Sequence, residues 1–181
     1  LSISPFTSAQ SIQDCTGAIP VCQDIYSEVN APNGPGNVTD LLPGETCMDT
    51  EDNSVWYVFT ASEAGMLGFV ITPNDLDDDY DWALFDLTTG DCNDIGASTL
   101  VSCNAAGGGG CHGQTGCTSS GIGNSTFGGC GGTGPFNQLV PMQVGSVYAL
   151  LITNWTGSPN GYEIDFSEST GLGIFDETSP E

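Results

Sequence analysis

The sequence holds no lysine and no arginine. Across 181 residues it sets 23 Asp and Glu against one histidine, His112, for a formal charge of −23 at pH 7. Nothing in it can neutralise phosphates, which excludes a nucleic-acid partner, and an anionic membrane surface is disfavoured for the same reason. A GxxxxGK[ST] phosphate loop is excluded for want of its lysine. Salt bridges within the chain are limited to the α-amino group and His112, and trypsin-type proteases find no cleavage site. Long apolar runs are missing too. No segment reaches the roughly 20 residues that cross a bilayer as a helix, so membrane insertion is not expected. Helical periodicity beyond two turns is absent, as is any internal repeat. Catalysis is hard to assemble from what remains. No basic side chain can stabilise an oxyanion, the one histidine sits beside a cysteine in a glycine-rich stretch, and no carboxylate pair is singled out, so no enzymatic activity is expected.

What is present reads as β-structure. Short aromatic or β-branched segments, punctuated by Gly, Pro, Asn and Asp, predict strands at 54–60, 66–72, 80–87, 99–104, 146–153 and 162–167, with weaker ones near 37–42 and 172–175. "GYEIDF" alternates, with Tyr162, Ile164 and Phe166 on one face and Glu163 and Asp165 on the other, as a strand with one wet side does. "VWYVF" and "YALLI" are apolar on both faces, which fits central strands covered on each side. An all-β sandwich follows, as one domain over 14–170 between an N-terminal extension (1–13) and a C-terminal one (171–181).

Eight cysteines, at 15, 22, 47, 92, 103, 111, 117 and 130, lie mostly beside turn residues. Their even number predicts four disulfides (Cys15, Cys22, Cys47, Cys92, Cys103, Cys111, Cys117, Cys130) and an oxidising, extracellular compartment. Connectivity is open, with Cys92–Cys103 the favoured single pair and two of Cys111, Cys117 and Cys130 joined. A zinc site from Cys111, His112, Cys117 and Cys130 competes, but no CxxC spacing supports it. Residues 105–134 hold 13 of the 26 glycines, so this stretch would be costly to order without staples and is expected to be a stapled surface insertion at 107–134.

The densest signal is "NDLDDDYDWALFD" (74–86), with five aspartates between Asn74 and Asp81. In an extended chain Asp77, Asp79 and Asp81 share a face, neighbours about 7 Å apart, and repel by about 1 kcal/mol per close pair. A calcium ion, which takes six to eight oxygens, would relieve this, with Asn74, Asp75, Asp77, Asp79 and Asp81 as ligands. The alternative is a solvated acidic loop screened by salt. Asp49, Glu51, Asp52, Asp91, Asn93 and Asp94 are weaker candidates, more often turn residues than ligands. Trp155, in "TNWTGSPNGY", either stacks a sugar ring or caps the sandwich end. Asn37, Asn124 and Asn154 match the N-glycosylation pattern that marks surface positions in eukaryotic secreted proteins.

Together "DCTGAIPVC" (14–22), "NSVWYVFT" (53–60), "GFVITPNDLDDDYDWALFDLT" (68–88), "LVSCN" (100–104) and "GYEIDFSEST" (161–170) resemble a β-sandwich domain of secreted and cell-surface proteins of Bacteroidota. That domain is similar to pre-peptidase C-terminal-like domains and is found in gliding-motility and type IX secretion-associated proteins. The resemblance implies a jelly-roll-like antiparallel sandwich and an accessory, adhesive or structural role. It also implies calcium dependence, with Asp77, Asp78, Asp79 and Asp81 as the acidic positions. The chain departs from the pattern in its Cys/Gly insertion and in carrying no sorting domain, which leaves the secretion route open. The expected function is that of an extracellular fibre or adhesin subunit. It would self-associate by strand addition, an edge strand accepting Leu1–Phe6 or "GLGIF" (171–175) from an identical subunit. A carbohydrate-binding accessory module, with a glycan as partner, is the alternative.

Overall fold

A computed structural model describes residues 11–48, 50–108, 110–130 and 133–171. The weak strand expected at 172–175, with both apolar end segments, lies outside the described residues, apart from Gly171. In chain order the strands are β1 (Ile19–Pro20), β2 (Ile25–Asn30), β3 (Ser54–Thr60), β4 (Gly65–Leu67), β5 (Phe69–Pro73), β6 (Tyr80–Asp86), β7 (Leu100–Asn104), β8 (Thr115–Thr118), β9 (Ser125–Thr126), β10 (Phe136–Gln138), β11 (Val140–Met142), β12 (Val147–Asn154) and β13 (Asn160–Asp165). They build a six-stranded sheet ordered β1-β3-β12-β6-β7-β9, a five-stranded sheet ordered β10-β8-β5-β13-β2, and a small β11-β4 pair. The centre of both large sheets is antiparallel. Parallel pairings close their margins at β1/β3, β8/β10 and β7/β9, so the architecture is a β-sandwich with mixed sheets and not a purely antiparallel one.

Alternation decides which side chain goes where. Tyr80, Trp82 and Leu84 of β6 join Tyr57 and Phe59 of β3 and Leu150 and Ile152 of β12 in a core shared with Phe69, Ile71, Tyr162 and Ile164 of the facing sheet. Phe69 meets Trp82 edge-on, ring centroids 4.9 Å apart, and Tyr80 meets Tyr162 at 5.1 Å, so aromatic pairs bridge the two sheets at favoured geometry. The alternate residues Trp56, Ala83, Phe85 and Leu151 point outward, yet they are buried as well. A second apolar layer made by Cys15, Leu41, Cys47, Met48 and Ile95 covers them. This is why β3, β6 and β12 are apolar on both faces.

Two expectations need correction. No strand forms at 37–42, because side-chain acceptors claim its N–H groups: Asn37 and Val38 donate to Asp14 Oδ1, and Leu41 donates to Glu51 Oε2 at 2.9 Å. The glycine-rich stretch is stapled within itself by Cys111–Cys130, as expected, but it is not wholly a surface loop. Its β8 is a member of the five-stranded sheet, pairing with β5 and β10, and buries Thr115 and Cys117. Gly116 makes this possible, since its φ is +146° and a Cβ there would come within 2.1 Å of the Phe69 carbonyl oxygen. The expected strand 66–72 is real but broken at Gly68, where a Cβ would lie 2.6 Å from Leu139.

Three disulfides form, not four: Cys15–Cys92, Cys47–Cys103 and Cys111–Cys130. The favoured Cys92–Cys103 pair is not made. Each of these cysteines instead ties sheet or loop to the covering layer, across separations of 77 and 56 residues, where crosslinks remove on the order of 4 kcal/mol of unfolded-chain entropy each in the chain-entropy picture. Cys22 is an exposed thiol, and Cys117 is a buried one whose pKa is pushed up to about 12 by burial. Alkylation of the native, unreduced protein is therefore expected to add one label, at Cys22. Denaturation without reductant exposes a second, at Cys117, and intact-mass measurement distinguishes this from the zero labels of a four-disulfide molecule.

Candidate functional site

The aspartate run at the mouth of β6 is divided among three environments. Asn74, Asp75 and Asp77 lie exposed on a turn in which Asp75 Oδ1 accepts the Asp77 N–H, while the Asn74 amide donates to the Glu28 carbonyl of β2. Asp78 is buried and turned toward the 158–160 segment, its Oδ2 accepting from the Ser158 hydroxyl at 2.7 Å and the Asn160 amide at 3.1 Å. Asp79 and Asp81 are 5% and 6% exposed and face a cleft. The strand alternation expected from the sequence holds for these two, and the turn removes Asp77 from their company.

The cleft measures about 410 Å³. Asp79 and Asp81 form one wall, Met48 and Ala105 contribute apolar surface, and Trp155 with Thr156 forms a rim. The glycine-rich segment supplies the remainder through Gly107, Gly108, His112, Gly128 and Gly129, so the sequence's most unusual composition is spent on lining this depression. Cys111–Cys130 ties the His112 side to the Gly128–Gly129 side, and Cys47–Cys103 lies beneath. Glycine at 107 leaves room for the Asp79 carboxylate, because a Cβ there would come within 2.0 Å of Asp79 Oδ2. Trp155 does not cap the sandwich. It is 60% exposed, and its position is set by its neighbours' backbone: its N–H donates to the Asp79 carbonyl at 2.9 Å, and Thr156 Oγ1 accepts the Asp79 N–H at 2.8 Å. His112 and Gly107 carry no motif of their own, and only their convergence on Asp79 marks them.

Burial raises the Asp79 pKa above its ordinary value, and the charge of His112, which lines the same cleft, opposes this only in part. No hydrogen-bond donor among the described residues reaches the Asp79 carboxylate. Two further carboxylates are raised. Burial raises Asp40, with the charge of Asp14 adding to it, and burial raises Glu51 despite N–H donors from Leu41 and Asp40. Neither of these lines the cleft.

The five oxygen-bearing residues expected to hold calcium do not assemble into one ligand set, because the turn at 74–77 is solvent-facing while Asp79 and Asp81 face the cleft. Among the described residues no three His, Cys, Asp or Glu side chains group as a metal site. The zinc alternative fails on its cysteines, since Cys111 and Cys130 are joined to each other. Of the weaker acidic candidates, Asp91 and Asp94 cap a single 3-10 turn (Cys92–Asp94) in which Asn93 takes part, Glu51 binds backbone, Asp52 is exposed and Asp49 lies outside the described residues. Asn37 and Asn124 are exposed, but Asn154 is 1% exposed and bonded to Tyr80 and Ser158, which removes it as a surface glycosylation mark. Comparison of the chain with family models, with curated proteins and with solved structures returns no match.

The raised carboxylates make a signed prediction. A carboxyl whose folded pKa exceeds its unfolded value of 3.8 (Asp) or 4.5 (Glu) contributes stability that is complete below the unfolded value and is lost as pH rises through the folded one. Melting temperature is expected to rise on mild acidification from neutral pH toward that window. Asp79→Asn is expected to raise the melting temperature at pH 7 and to reduce the gain on acidification, and calorimetry across the pH series checks both.

Proposed function

We propose that the chain is an extracellular adhesive module, secreted and non-catalytic, that holds a glycan in the Trp155 cleft. The observation that carries this reading is a largely exposed indole on a concave site lined also by carboxylate and by glycine. Aromatic faces stack on the apolar faces of sugar rings, carboxylates accept from hydroxyls, and glycine lets backbone approach closely. Three disulfides fit an oxidising compartment. No helix among the described residues is long and apolar enough to cross a membrane. The likeness to Bacteroidota surface sandwiches belongs to the same proposal and rests on the sequence motifs alone.

Self-association by strand addition is the second reading, and β2 favours it. Among the described residues this strand is the last of the five-stranded sheet and exposes Ile25 (46%) and Val29 (78%), an apolar margin of the kind that accepts another strand. Filaments in negative stain would make the module a fibre subunit that displays its cleft along the fibre.

Two measurements test the proposal. Trp155→Ala is expected to abolish retention on the polysaccharide columns that bind the parent while leaving the melting temperature within about 1 °C, as for a surface substitution. Loss of retention with a large fall in stability would instead make Trp155 structural. For calcium, the split of its expected ligands predicts that CaCl2 and MgCl2 at equal ionic strength shift the melting curve equally, by screening a polyanion. A rise of several degrees specific to calcium and lost in Asp77→Asn would show that the ion draws the two groups together.

A further inference from the structure

Resting on the glycan reading above, we infer that the cleft selects a positively charged sugar, an amino sugar with a free ammonium group, over neutral, N-acetylated or acidic ones. The charges lining the cleft are unbalanced. Two carboxylates, each nine-tenths or more buried, line the cleft, and His112 is the one basic side chain that the chain sets there, since it has no lysine or arginine. Three carboxylates of like burial elsewhere in the molecule are supplied with donors: Asp14 by Asn37 and Val38, Glu51 by Asp40 and Leu41, Asp78 by Ser158 and Asn160; a buried oxygen of the half-buried Glu45 is not. Asp79 is treated differently. It is as buried as the others and lines the cleft, but no donor among the described residues reaches its oxygens.

A desolvated anion facing a cavity is costly unless a partner completes it. The chemistry of the partner follows. It must donate several hydrogen bonds, and it gains most if it is cationic, because charge-assisted hydrogen bonds are about twice as strong as neutral ones. It must also lie near the Trp155 indole, whose face attracts cations and stacks on a pyranose ring. An ammonium group on a sugar ring satisfies both demands at once. Acidic sugars meet the same wall with repulsion, in a molecule of net charge −23. N-acetylation removes the charge and adds bulk at the atom that should approach Asp79. A lysine side chain shares the ammonium but offers no ring to the indole.

Gly107 gives the inference a second handle. A Cβ at that position falls 2.0 Å from Asp79 Oδ2, the mobile end of a side chain, so Gly107→Ala is expected to displace the carboxylate from its place in the cleft.

The test is a tryptophan-fluorescence and calorimetric titration of the intact protein. The ligands are a glucosamine oligomer, the N-acetylglucosamine and glucose oligomers of equal length, a galacturonic acid oligomer, and oligolysine, at a pH where the amine is protonated. The glucosamine oligomer is expected to bind at least tenfold more tightly than any other, with affinity falling as NaCl rises. Asp79→Asn and Gly107→Ala are expected to erase the preference, and Trp155→Ala to weaken every sugar. Equal binding of the neutral or acetylated oligomer overturns the charge selection and leaves the glycan reading standing. Oligolysine binding as tightly as the amino sugar overturns the sugar requirement. If no oligomer binds to the folded protein, both readings fall.

Discussion

A chain without lysine or arginine has to satisfy its buried carboxylates mainly with neutral donors, and the fold is organised around that constraint. Backbone N–H groups from 37–41 converge on Asp14 and Glu51, and this is what holds the covering segment against the outer face of the six-stranded sheet. Asp78 performs the same service for the 158–160 segment, through a hydroxyl and an amide, and so positions the chain between β12 and β13. In both places an anion sits where a strand partner or an ion pair stands in other proteins. Net stabilisation from each such bond is modest, but leaving a buried acceptor unmet costs more than the bond itself contributes. Loop shape in this molecule is therefore dictated by where acids are buried.

The rule is relaxed at Glu45, one of whose oxygens is buried without a partner among the described residues, and at the cleft. Its lining contains a buried carboxylate whose oxygens receive no donor among the described residues, an exposed indole, and four glycines. Each of these features is individually unfavourable for stability: a desolvated charge, a wet apolar ring, and backbone that is costly to order. Two disulfides flank the region and offset part of that cost by restricting the unfolded chain. Concentrating such features in one depression is the pattern of a site kept for a ligand, and it gives the proposed adhesive role a physical basis.

Much of the framework was legible beforehand. The bounds of the β3 and β6 strands, and the double-sided burial of β3 and β12, follow from apolar runs that no one-sided sheet could hide, because alternation sends half of each run to either face. The glycine-rich segment was misread because composition reports entropy but not pairing. Gly116 and Thr115 join a sheet only because Phe69 is there to receive them, a fact with no local signature. The disulfide pairing was hidden for the same reason, since Cys15 and Cys92 are 77 residues apart and meet only through the covering layer.

The sequence by itself determined the chemistry this protein has to work with. It is an acidic, disulfide-forming β-protein with no lysine or arginine, and it has one aspartate-rich run ahead of Trp82. Only the tertiary structure decided what that run does. Local alternation could place Asp79 and Asp81 on one face, but whether that face met water, an ion or a cavity depended on where Trp155, His112 and Gly107 arrive from distant parts of the chain. Burial and the supply of donors are set by long-range packing, and they, more than the presence of five aspartates, separate an acid that folds the molecule from one that is left facing its cleft.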